Sequence, residues 1–315
     1  MHERTLEQRL WALATRKQAE WEARPDLVAC ALTGSLARGT VWPGSDLDFN
    51  GFWMSDEDDF EDGVEEGIYW EIDVRPLNWL QIDADALLRP PVFGPDVFGD
   101  TPLEVLWCAR VLFDRDGALE RAVDETARLA SDRDWLQQRA GNYLAYAETC
   151  LRALADEPAT RAILDARRIA IAYGVTAYWM QRGALLASAI RIPERLADHP
   201  AIQALLCGIF NLDGQRGWDA FFAAYQTMPP SVREEADPDV FREILPAVKL
   251  GMANGGLCHF RFIAEGWLPL DLVEPLMGFE PDREAQRQRV LAQTQAFLEQ
   301  ISLVQPYPLP EEEPR

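Results

Sequence analysis

"LTGSLARGTVWPGSDLDF", residues 32–49, decides how this chain is read. The apolar run LVACAL (27–32) leads into it and DLDFNGFW (46–53) leads out of it. The first is continuous and stops at Thr33-Gly34, the second alternates, and both patterns predict strands. Asp46 and Asp48 are two apart on the second strand, so their side chains leave one face, about 6.5–7 Å apart. Such carboxylates repel unless a cation lies between them, and Mg²⁺ is typically held by one or two carboxylates plus substrate phosphates. Gly34 permits close approach to the backbone, the N–H groups of a following short helix hold phosphate, and Ser35 adds a hydroxyl. Arg38 is a candidate for the same phosphates, while Gly39 and Pro43-Gly44 let the chain turn sharply back.

Outward from this stretch, Leu6, Leu10, Trp11, Leu13 and Trp21 repeat with helical period over residues 4–22, ahead of Pro25. Residues 54–67 hold eight acids and no base, which predicts a loop: either a solvated face or a field that draws in a cationic acceptor. IYWEIDVRPL (68–77) alternates, with Ile68, Trp70, Ile72 and Val74 on one face and Tyr69, Glu71, Asp73 and Arg75 on the other. Two-metal nucleotidyl transfer needs a third carboxylate from a neighbouring strand, and Asp73 or Glu71 is the candidate, Asp73 being favoured. A further apolar segment, 103–117, ends at Asp116-Gly117.

From about Leu119 the alternation gives way to Ala-, Leu- and Arg-rich helical segments at 134–155, 160–186, 217–226 and 284–303. Pro158, Pro193, Pro200, Pro229-Pro230 and Gly255-Gly256 mark the joins, and the tail 305–315 reads as loosely ordered. The chain therefore divides into residues 1–125, catalytic, and 126–315, helical. With 52 acidic against 30 basic residues the formal charge is −22, which argues against nucleic acid as a partner. Five scattered cysteines suggest neither a zinc site nor a disulfide framework, and no apolar run is long enough for a membrane span; a cytoplasmic protein fits both. Cys258 and His259 are adjacent, so they point apart and are discounted as a nucleophile pair.

The spacing G-S-x3-G-x5-S-D-x-D, here Gly34, Ser35, Gly39, Ser45, Asp46 and Asp48, resembles the signature of the nucleotidyltransferase superfamily related to DNA polymerase beta. Six such positions coincide by chance with a probability on the order of 10⁻⁵ in a chain this long. The strand at 68–75 matches the place where the family carries its third acid. In plan and length the chain is similar to the branch that modifies aminoglycosides and lincosamides. ILDARRIAIAYGVTAYWMQRGALLAS (163–188) resembles that branch's central C-terminal helix, although a lysine common near its end is replaced by Ala187-Ser188.

The resemblance implies an α+β fold: an N-terminal nucleotidyltransferase-type mixed sheet flanked by helices, then an all-α bundle. It implies a Mg²⁺-dependent enzyme moving AMP from ATP to a hydroxyl of a small molecule bound between the domains. A cationic aminoglycoside is the first candidate acceptor, which would make the protein an antibiotic-resistance enzyme. Asp46, Asp48 and Asp73 would hold metal, with Glu71 the alternative third acid. Gly34, Ser35, Arg38 and Ser45 would contact the nucleotide, and Arg167 and Arg168 are candidates to reach its phosphates unless they lie along a helix surface. Tyr173, Tyr178 and Trp179 fit core packing better than an adenine shelf. Protein adenylylation and a catalytically idle, antitoxin-like nucleotide-binding partner are the alternatives.

Overall fold

A computed structural model of the chain describes residues 5–93, 101–185, 192–230, 233, 245–267 and 274–304. Ala187-Ser188 and the tail 305–315 lie outside the described residues. Two compact units emerge: Met1–Leu87 with Gly99–Asp132, and Leu88–Phe98 with Arg133–Arg315.

The first unit is built on one mixed sheet of β1 (Leu27–Leu32), β2 (Leu47–Trp53), β3 (Asp59–Glu65), β4 (Ile68–Pro76) and β5 (Arg110–Asp114), in the order β3-β4-β2-β1-β5. β2 and β4 are parallel and the other pairs antiparallel. Helix α1 (Leu6–Glu22) starts at a capping box, in which Thr5 and Gln8 satisfy each other's backbone N–H. Its Leu10, Leu13 and Trp21 cover Phe49, Ile72 and Val74 on one sheet face, where the Trp21 ring meets Phe49 edge-on at 4.5 Å. The one-turn helix α2 (Gly34–Ala37) follows β1, and α3 (Ala84–Leu87) follows a 3₁₀ turn, Leu77–Leu80. On the opposite face, α4 (Pro102–Leu106) and α5 (Ala118–Ser131) press Leu106, Leu119 and Ala122 onto Ala29, Ala31 and Phe52.

The acidic stretch 54–67 is not the loop its composition predicts. β3 runs through it as an edge strand, paired antiparallel with β4. The balancing charge comes from α1 and the turn after it: Lys17 pairs with Glu65 and Arg16 with Glu66 at 2.9 Å, and Arg24, just past the helix, pairs with Glu61. Burial pulls the Lys17 pKa down, but hydrogen bonds to Glu65 and Glu20 outweigh that and hold it above the ordinary lysine value.

Among the described residues the second unit contains helices and no strand. They are α6 (Arg133–Ala153), α7 (Ala159–Ile169), α8 (Thr176–Gln181), α9 (Ile192–Arg195), α10 (Pro200–Phe210), α11 (Gly214–Gln226), α12 (Leu245–Lys249), α13 (Ala253–Trp267) and α14 (Arg283–Ser302). A π-helical turn, Ala170–Val175, joins α7 to α8. α14 packs on α6, α7 and α10. Within the π turn Gly174 permits that approach, since a Cβ there would stand 2.8 Å from the Phe297 ring. Tyr173 and Tyr178 are buried as core residues; the Tyr173 hydroxyl donates to Pro91 O at 2.9 Å, tying the segment from Leu88 to this unit. Gly255-Gly256 do not mark a join. They lie in the first turn of α13, where Glu194 accepts from the Gly255 N–H at 3.0 Å and satisfies a helix-start donor. Among the described residues no helix is long and apolar enough to cross a membrane.

Candidate active site

The corner between β1 and α2 is shaped by one contact. Gly34 has φ +65°, and a Cβ on it would stand 1.5 Å from Asp48 Oδ2, so the Asp48 carboxylate occupies the space that any other residue would fill. The Thr33 N–H donates to Asp48 O at 2.8 Å, the Thr33 hydroxyl donates to the same oxygen at 3.2 Å, and Asn50 Nδ2 donates to Thr33 Oγ1 at 3.1 Å. This latch locks α2 to β2. Thr33 and Asn50 carry no role in the sequence reading; the signal for Asn50 was a polar residue two past Asp48 on a mostly apolar strand.

Two buried polar atoms at this corner, Ser35 Oγ and Asn50 Oδ1, have no hydrogen-bond partner. A buried hydroxyl or carbonyl left so costs about 1–3 kcal/mol, which a ligand donor or acceptor would recover. α2 is a single turn, too short to add a macrodipole of consequence, so the Ser35 hydroxyl is the corner's distinctive donor.

Ser45 holds the turn ahead of β2. Its hydroxyl accepts from the Trp42 N–H at 2.9 Å and its own N–H donates to Trp42 O at 2.9 Å, closing the turn that delivers Asp46 to the start of β2. Arg38 lies beside Cys108: burial pushes that thiol up, against the pull of the Arg38 charge and hydrogen bond.

The parallel register sets Asp48 beside Glu71 and Asn50 beside Asp73. Glu71, rather than the favoured Asp73, is therefore the acid at Asp48's side. The Asp73 side chain is 45% exposed and lies 3.5 Å from Arg75, whose guanidinium stacks over Trp79. Phe60, Asp62 and Val64 extend the same face to the sheet edge, and the Tyr69 hydroxyl donates to Asp62 at 2.7 Å. Among the described residues, no three His, Cys, Asp or Glu side chains are gathered into a ready metal cage. A cavity of about 610 Å³ opens at the other end of β2, lined by Trp53, Asp56, Leu77, Gln81, Arg121 and Glu125. The length of the strand, roughly 20 Å, separates it from Asp46.

Arg167 and Arg168 belong to the second unit and are buried rather than spread along a helix surface. Arg167 donates to Ile209 O at 3.1 Å and to Met277 O at 2.7 Å, and Arg168 lies 3.3 Å from Asp165. The Arg167 contacts tie α7 to α10 and to the chain at Met277, while the Arg168–Asp165 pair lies within α7.

No protein-family model matches the sequence, and no curated protein matches it significantly. Among solved structures the chain is similar to a nucleotidyltransferase-like protein from Exiguobacterium sibiricum, at 11% identity over 93% of this chain and 92% of the other. The TM-score is 0.31, too low to establish a shared fold.

Proposed function

We propose that the chain is a nucleotidyltransferase that moves AMP from ATP to a hydroxyl of a small molecule. The observation that supports this best is the Asp48 carboxylate seated against the Gly34 backbone with Glu71 at its side. A site that only bound nucleotide would have no need for two acids on neighbouring strands beside a left-handed glycine.

The donor set fits Mg²⁺, because that ion is typically held by one or two carboxylates with the remaining oxygens from substrate phosphates and water, not by an all-protein cage. Asp46 and Asp48 would hold it, and when bound it supplies charge neutralisation to the triphosphate and the departing pyrophosphate. Gly34 leaves the space that the Asp48 carboxylate fills, and the Ser35 hydroxyl donates to a phosphate oxygen. Glu71 takes the proton of the acceptor hydroxyl as that oxygen forms its bond to the α-phosphorus, while the α–β bridging oxygen leaves with pyrophosphate. Asp62 and Asp73, farther along the face, favour an acceptor carrying amines, with aminoglycosides the first class to try.

The test is incubation with ATP, Mg²⁺ and a panel of aminoglycosides and lincosamides, with products weighed by mass spectrometry. Addition of one AMP is expected, with Glu71→Gln losing more turnover than Asp73→Asn. The reverse order would exchange the two acids' roles. No product with any acceptor, together with no Mg²⁺-dependent ATP binding by calorimetry, would overturn the reading.

A further inference from the structure

Among the described residues, the second unit holds a buried cation that no acid neutralises. Arg261, 7% exposed, reaches from α13 to the carboxyl end of α10, where Nη1 donates to Phe210 O and Asn211 O at 2.6 and 2.8 Å, and Nε donates to Leu276 O at 3.2 Å. The negative end of the α10 dipole compensates part of its charge. Gly278, at φ +66°, lies flat on the guanidinium, since a Cβ there would stand 2.5 Å from Cζ. Among the described residues no carboxylate pairs with Arg261 and nothing accepts from Nη2. Burial without an acidic partner pushes its pKa down to about 10, so it remains charged at neutral pH.

Arg261 lines a pocket of about 340 Å³ with Asp213, Arg216, Ala220, Phe279 and Gly217. Two cations thus face it against one acid, Asp213, whose carboxylate lies 3.8 Å from Arg216, in a chain of net charge −22. The first turn of α11, which begins at Gly214, contributes Arg216 and Gly217 to the wall, and its dipole favours negative charge there. Phe279 and Ala220 supply apolar wall. We infer that this pocket binds a small organic oxyanion, a carboxylate or phosphate on a compact apolar body, anchored on Arg261 Nη2. Nothing in the proposed transfer reaction requires this oxyanion, so it is a second ligand.

The test is calorimetric titration of the full chain, in EDTA to silence any Mg²⁺-dependent nucleotide site, with phenyl phosphate, benzoate and the neutral benzyl alcohol. At least one oxyanion is expected to bind with saturation and benzyl alcohol about tenfold or more weakly, because a hydrogen bond to a charged partner is worth that much. Whichever of phenyl phosphate and benzoate binds tighter names the headgroup. Ala220 is exposed on α11, so Ala220→Glu places a carboxylate at the pocket without touching the core, and circular dichroism verifies the fold. It should weaken the oxyanion about tenfold, whereas Ala220→Lys keeps or tightens binding and Asp48→Asn leaves it unchanged. Equal binding of benzyl alcohol, unchanged affinity in Ala220→Glu, or no saturable binding of either oxyanion at millimolar concentration would overturn the assignment.

Discussion

The two faces of the β2–β4 pair share one backbone and differ at every second residue. Leu47, Phe49, Ile72 and Val74 face α1 and are buried; Asp48, Asn50, Glu71 and Asp73 face the opposite way and are polar, all but Asn50 partly open. The apolar face fixes the chemistry of the other. Slipping β2 by one residue against its neighbours would put Asp48 into the core and Phe49 into solvent, so packing under α1 holds Asp48 beside Glu71. Stability and activity should therefore separate between adjacent residues of one strand.

The sharpest way to break that comparison is to change neighbours. Asp48→Asn keeps the shape against Gly34 but removes the charge, and should lower AMP transfer about 10³-fold, the equivalent of several kcal/mol of lost charge stabilisation, with little change in unfolding midpoint. Phe49→Ala, one residue on, should cost about 3–5 kcal/mol in urea unfolding, since its ring is 1% exposed. Full turnover in Asp48→Asn would remove the polar face from the chemistry.

A smaller effect is expected from two glycines with the same backbone. Gly34 and Gly39 both have φ +65°, but a Cβ on Gly34 collides with Asp48 while one on Gly39 meets nothing within 4 Å. Gly39→Ala should cost about 1–2 kcal/mol, the left-handed penalty alone, and retain turnover. Gly34→Ala adds displacement of the Asp48 carboxylate and should lose transfer as well. Equal turnover in both would show that the Gly34–Asp48 contact has no part in catalysis.

The polar face also shows where the sequence was readable. β1, β2 and β4 were legible because each has an apolar period that survives folding, and Gly34, Ser35 and the Asp pair because their spacing is local. β3 was hidden, as its balancing cation Arg24 lies 37 residues before Glu61 and no local window contains both. Asp48's neighbour on β4 was hidden for a related reason: alternation gives the face, but only the pairing register sets Glu71 beside it. Arg167 was obscured by type, since a helical arginine usually reaches water, and its acceptors, Ile209 O and Met277 O, are backbone atoms without a residue signature.

The smallest expected effect concerns how α1 seals the apolar face while holding the edge strand. Lys17 is 6% exposed, pairs with Glu65 on β3 and with Glu20 at 3.1 Å, and stands 3.9 Å from the centre of the Trp70 ring. Lys17→Met should cost under about 1 kcal/mol near neutral pH. Because the folded pKa of Lys17 lies above its unfolded value, the charge contribution is fully present below the unfolded value of about 10.4 and is lost as pH rises through the folded one. Urea unfolding from neutral to strongly alkaline pH should therefore show wild type and Lys17→Met differing at the start and converging at the end. A difference that persists after deprotonation would assign the effect to the lysine stem packed on Trp70, and β3 would then be held by the apolar face of the sheet rather than by the charges laid over it.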